Sequence, residues 1–186
     1  MRINQKLNLV IPFETGDDKT IYIHSSPISR DLFEQFYSEL GAVFTNCMSG
    51  MNEAHLALSA PQLAYPALKS ITKKNGTWDG VKFGLVNEII RLTNVLFTGE
   101  KGWESLPLEV AKKQGILDEA EESEVLSDLI FFIAISSVAP KQFRQAFLAA
   151  AGSIRNWDFT SSNSMEYMSG LQTSTEKETT SQTVIA

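Results

Sequence analysis

The chain has 186 residues, 43% hydrophobic and 20% charged, enough for one globular domain with a proper core and a short appendage. Its formal net charge of −6 argues against a grip on a nucleic-acid backbone, because such surfaces are basic; Lys73–Lys74 and Lys112–Lys113 are too short to make a basic patch. The single cysteine, Cys47, excludes an intrachain disulfide, and its helical spacing with Leu40 and Val43 reads as a small buried hydrophobe rather than a nucleophile.

The opening residues lead into no long apolar run, so no signal peptide is expected. Leu7, Leu9, Ile11 and Phe13 recur with a period of two, which predicts a strand over about residues 5–13. Thr15-Gly16-Asp17-Asp18 is a turn cluster, and Ile21 and Ile23 alternating with Tyr22 and His24 predict a second strand over about residues 19–24. Such a hairpin is marginal alone and must lie on helices or pair with another chain. Ser29 is a natural helix cap with Asp31 in the first turn, and Ile28 and Phe33 sit where a hydrophobic staple would place them. Leu32, Phe33, Phe36, Tyr37, Leu40, Val43, Phe44 and Cys47 follow at three- and four-residue steps, an amphipathic helix ending near Gly50.

Pro61 and Pro66 divide the next stretch into one helix or two short ones, stopped by Asn75-Gly76. Asp79 is positioned to cap a helix with the apolar face Leu85, Val86, Ile89, Ile90 and Leu96. Residues 99–106 read as a loop, and Pro107 as the start of a short helix that Gly115 ends. Asp118 to Val138 is the clearest helix. Its five early carboxylates, Asp118, Glu119, Glu121, Glu122 and Glu124, match the positive end of the helix dipole, and a cation site or acidic docking face is the rival reading. Val125 to Ile135 is apolar nearly all round and marks the centre of the core; it is far short of the roughly 20 residues of a membrane helix. After Pro140, Phe143, Phe147, Ala150, Ala151 and Ile154 outline a last helix. The Ser/Thr-rich remainder buries too little to offset its ordering entropy, so it reads as a flexible tail that orders against a partner through Met165, Tyr167, Met168 and Leu171. The expectation is a mainly α fold: a single compact helical domain over residues 1–158 with an N-terminal β-hairpin, and a tail over 159–186.

Reactive chemistry is sparse. His24, on the outward or edge side of the hairpin, and His55 have no metal-ligand spacing. Ser25, Ser26 and Ser29 suit turns and caps. The chain has no G-x-S-x-G and no Walker loop, and Gly99-Glu100-Lys101-Gly102 has the wrong spacing for phosphate. Trp78, Trp103 and Trp157 each stand near an element boundary, as loop locks or as interface anchors. The residues point to no catalytic group, no metal site and no cofactor, and so away from an enzyme and towards a protein that holds other proteins.

The opening Asn4-Gln5-Lys6-Leu7-Asn8-Leu9-Val10-Ile11-Pro12 and Ile21-Tyr22-Ile23-His24-Ser25-Ser26-Pro27-Ile28-Ser29-Arg30 resemble the start of the tail assembly chaperones of long-tailed bacteriophages. Asn87 to Val95, Gly102 to Leu108, Ser127 to Ile133, Thr160 to Tyr167 and Leu171 to Thr175 are similar in the same order, so the resemblance covers most of the chain outside Gly41 to Lys74. It implies an assembly factor in the cytoplasm of the bacterial host, absent from the mature virion. Such a protein binds the long helical tape measure protein, keeps it soluble and helps tail tube protein assemble around it. It also implies a longer product made by ribosomal frameshifting, with the tail as tether. An uncovered amphipathic helix aggregates through its apolar stripe, and small acidic subunits along it would cover that stripe and add repulsive charge. The binding mode expected is helix-in-groove, with Phe33, Phe36 and Tyr37 of the first helix and Phe143 and Phe147 as partner contacts, and a homo-oligomer suits a coat on a long partner. The rival is a structural virion protein, a tail subunit or connector, whose hairpin pairs edge to edge between copies.

Overall fold

The computed structural model describes residues 8–16, 19–49, 60–80, 83–100, 102–139 and 141–171. The N-terminal alternation forms the hairpin it predicts: β1 (Asn8–Glu14) pairs antiparallel with β2 (Thr20–Ser25), from Leu9 opposite Ser25 to Glu14 opposite Thr20. Ser29 caps α1 (Arg30–Gln35), its hydroxyl accepting from the Leu32 amide at 3.2 Å. The single helix expected here is divided. Phe36 leaves helical geometry and turns its ring into the core against Phe83, with centroids 5.1 Å apart, and α2 (Tyr37–Ser49) then resumes. Gly84 is what admits that ring, since a Cβ there would lie 3.2 Å from Phe36 Cζ.

A 3₁₀ turn at Pro61–Leu63 leads into α3 (Ala64–Lys74), and α4 (Gly84–Arg91) follows. Asp79 does not cap α4; Phe83 occupies the cap position and makes no side-chain bond there. The helix expected to run on to Leu96 stops at Arg91. Thr93 accounts for the change of period. Its hydroxyl donates to the Ile89 carbonyl at 2.7 Å and accepts from the Ser25 hydroxyl at 3.0 Å, finishing α4 and joining the next segment to β2. From there β3 (Thr93–Gly99) runs antiparallel to β2, and β4 (Gly102–Pro107) returns along β3 where a loop was expected. Then come α5 (Leu108–Lys113), ended by Gly115 at φ 73°, α6 (Glu119–Val138) and α7 (Lys141–Arg155). The segment expected to be a flexible tail supplies β5 (Asp158–Thr160), which pairs with β1, and a helix over residues 164–171, here α8.

The result corrects the mainly α expectation to an α+β fold: an antiparallel sheet in the order β4-β3-β2-β1-β5 with helices packed on it. Its two faces separate by register. Leu9, Ile11, Phe13, Ile21, Ile23 and Val95 point to the main core, where α6 lies with its Val125–Ile135 stretch buried. Val10, Tyr22, His24 and Leu96 point the other way. α2 and α3 pack against α6 and against each other. Asp118 and Glu121 close a reciprocal capping box at the start of α6, at 2.8 and 2.7 Å, and Glu121 also accepts the Gly16 amide of the hairpin turn at 2.8 Å.

Phe131 is among the largest fully buried side chains, at 1% exposure. Phe131→Ala is expected to cost about 3–5 kcal/mol of unfolding free energy, and Asp118→Ala about 1 kcal/mol through loss of the cap; urea denaturation measures both.

Candidate functional site

Most of the acidic start of α6 is used structurally. Of the five early carboxylates of α6, Asp118 and Glu121 form the capping box, Glu122 pairs with Lys112, and Glu124 pairs with Arg155 at 3.2 Å. Among the described residues no three His, Cys, Asp or Glu side chains converge as metal ligands, and no helix is long and apolar enough to cross a membrane. Cys47 is 2% exposed, and burial pushes its thiol pKa up to about 11. His55, Asp17 and Asp18 lie outside the described residues.

His24 points to the outer face of the sheet, but it is neither at an edge nor open to solvent. It lies on the middle strand of the sheet and is 2% exposed. Its Nε2 donates to the Ser162 carbonyl at 3.0 Å, while Nδ1 is buried without a hydrogen-bond partner. What covers it is the segment after β5. The same carbonyl accepts from Asn8 Nδ2 at 2.7 Å. Asn163 and Glu166 cap α8 reciprocally, each bond 3.0 Å. Tyr167 then packs edge-on to Tyr22 at 6.1 Å between centroids and beside His24 at 6.3 Å, and Met168 is buried. Val10 and Leu96 are fully buried, yet neither belongs to the main core cluster, so this face has a small core of its own. Of the anchors named from sequence, Tyr167 and Met168 engage this face, and Met165 is 59% exposed.

At the hairpin-turn end of the sheet lies an open cavity of about 600 Å³, lined by Tyr22, Thr98 and Trp103 and by Ile21, Phe97 and Ile116 of the main-core side. Tyr22 and Trp103 meet there with ring centroids 5.5 Å apart. A second open cleft, about 620 Å³, brings together one lysine from each short basic pair, Lys73 and Lys112, with Lys69, Tyr65 and Trp78. The Lys69 ammonium sits 3.9 Å from the centroid of the Tyr65 ring.

A third group escaped the sequence reading. Arg155 Nη2 donates to both carboxylate oxygens of Asp128, at 2.9 and 2.7 Å, and Asp128 is 1% exposed. Burial raises the Asp128 pKa above its ordinary value even though Arg155 pulls it down. The pair spans 27 residues and no local spacing announces it; the one available signal was an aspartate inside an otherwise apolar helical stretch.

The five expected partner contacts separate. Phe36 is core at 7% exposure. Phe33 is half-buried and meets Tyr37 edge-on at 5.7 Å, and Tyr37 is 60% exposed. Phe143 and Phe147 fall on α7, with side chains outside the described set. No protein-family model, no curated protein and no solved structure matches the chain.

Phe36→Ala is expected to lose about 3–5 kcal/mol of stability, and Tyr37→Ala to stay within about 0.5 kcal/mol of the parent; thermal and urea unfolding separate them. The raised Asp128 pKa means that the folded chain retains a proton the unfolded chain releases. Its stabilising contribution is therefore complete below the ordinary value of 3.8 and lost as pH rises through the raised folded value. The stability difference between the parent and Asp128→Asn, measured by urea denaturation at successive pH values, is expected to fall across that window.

Proposed function

We propose that this chain is a phage tail assembly chaperone that binds the tape measure protein, keeps it soluble and helps tail tube subunits assemble around it. One observation carries the reading. The outer face of the sheet holds a short amphipathic helix, α8, through ring contacts and one buried methionine. A protein that shields helices needs such a surface, apolar enough to bind a helical stripe and bounded by polar groups that set its direction. The ordered sequence resemblance to tail assembly chaperones supports the same reading, as does the net charge of −6, which keeps many copies on one long partner mutually repulsive and dissolved.

The structural-virion alternative relied on free edges of the hairpin. Here β2 is covered by β3, and β1 is covered by β5 over Asn8, Leu9 and Val10, so edge pairing between copies is confined to the Ile11–Glu14 part of the hairpin.

Co-expression with the tape measure protein tests the proposal. That partner is expected in the soluble fraction only when this chain is present, and mass spectrometry is expected to find this chain in infected lysate but not in finished particles. A tape measure that stays insoluble in its presence, or stoichiometric retention of this chain in virions, overturns it.

A further inference from the structure

We infer that the cleft between α3, the end of α5 and the start of α6 docks an acidic, aromatic-bearing segment of a partner protein. The chain carries a net charge of −6, yet this cleft draws Lys69, Lys73 and Lys112 onto its walls. Lys112 is committed to Glu122. Lys69 lies over the Tyr65 ring, a contact that leaves its charge in place. Lys73 is exposed and has no acidic partner among the described residues. Lys69 and Lys73 stand four apart on α3 and so share one face of the helix. The other charge on the wall is Glu119, exposed at the start of α6. The same cleft presents aromatic surface. Trp78 is half-buried and held by Tyr65 and Phe83, at 6.1 and 5.7 Å between ring centroids.

This mixture selects the occupant. The cleft is open, about 620 Å³, which suits a stretch of chain better than an enclosed small molecule. A nucleic-acid strand carries a charge at every phosphate and would meet Glu119 and Glu122 as well as the lysines. A peptide places its charges selectively. In an extended segment alternate side chains share a side, about 6–7 Å apart, close to the separation of neighbours four apart on a helix. Glutamates alternating with aromatic residues therefore set carboxylates over Lys69 and Lys73 and keep the rings free to pack on Trp78. Glu119 repels segments with more closely spaced carboxylates, so it contributes selectivity. The inference stands apart from the chaperone reading. It involves none of the sheet face under α8, and it holds or fails without the tape measure protein.

The test uses the full-length chain, and as probe a fluorescein-labelled peptide, Gly-Ser-Glu-Phe-Glu-Phe-Glu-Ser-Gly, read by anisotropy. The parent is expected to bind it saturably, and more weakly as salt rises. Lys69→Gln/Lys73→Gln is expected to weaken binding about tenfold. Lys74→Gln/Lys113→Gln removes the same charge outside the cleft lining and is expected to leave binding unchanged. Glu119→Gln is expected to tighten binding about threefold, whereas Glu104→Gln, on β4, has no effect. Probes with glutamine for glutamate, or serine for phenylalanine, are expected to bind at least about tenfold more weakly. Should the Lys69→Gln/Lys73→Gln chain misfold by circular dichroism, Glu119→Gln and the probe series decide. Absence of saturable binding, equal loss in the Lys74→Gln/Lys113→Gln control, or equal binding of the serine probe overturns the inference. Two other occupants also overturn it. Self-association of the unliganded chain in sedimentation velocity, abolished by Lys69→Gln/Lys73→Gln, gives the cleft to a second copy. Tighter binding of a fluorescent single-stranded oligonucleotide than of the peptide, lost in the same variant, gives it to nucleic acid.

Discussion

The fold depends on one constraint: the stretch from Val125 to Ile135 in α6, apolar apart from Ser127 and Asp128, is buried around its whole circumference and needs cover on every side. No single neighbouring layer can provide that. The sheet covers one flank through Leu9, Ile11, Ile23 and Val95, α2 and α3 cover another, and Trp157 closes over Phe131 and Phe132. The remaining elements follow from bringing these layers to one helix. The hairpin turn is tied to the start of α6 through the Gly16 amide and Glu121, and the end of α7 through Arg155 and Asp128. The latter pair is nearly out of water, where ionisation is costly, so its geometry selects one arrangement of α7 on α6 more than it adds stability.

The parts legible in the sequence were those whose pattern is local. The alternation of β1 and β2, the cap at Ser29, the turn ending α5 at Gly115 and the apolar centre of α6 are each fixed by neighbours within a few residues. β3 was missed because Ile89 and Leu96 stand seven apart, which suits two turns of helix as well as a helix followed by a strand. The decision is tertiary: Thr93 bonds to Ser25, 68 positions away in the chain, and the strand pairs with β2. β4 carries little alternation to read, and its Gly, Glu, Ser and Pro look like a loop until β3 is there to pair with them.

The site was legible in a similar, partial way. Composition reads the residues after Thr160 as a flexible tail, whereas residues 164–171 form a helix on the sheet; of the large side chains read as anchors, Tyr167 and Met168 pack there and Met165 is exposed. What it cannot supply is the address. The outer face is created by pairing β1, β2 and β3, so the surface that receives Tyr167 and Met168 does not exist in any short stretch of chain. Phe36 fails for a related reason. Its place on an amphipathic stripe fits a surface contact and a core contact equally, and the break between α1 and α2 turns it inward.

The pairing of β1 with β5 has a consequence for synthesis. Asn8 bonds to Ser162 across 154 residues, so the first strand made waits for almost the last described part of the chain before its edge and outer face are sealed. A ribosome-bound intermediate therefore carries an open ribbon and greasy side chains in the cell for most of translation. Products truncated or stalled before α8 would share that stickiness, which ties the yield of usable protein to synthesis of that helix.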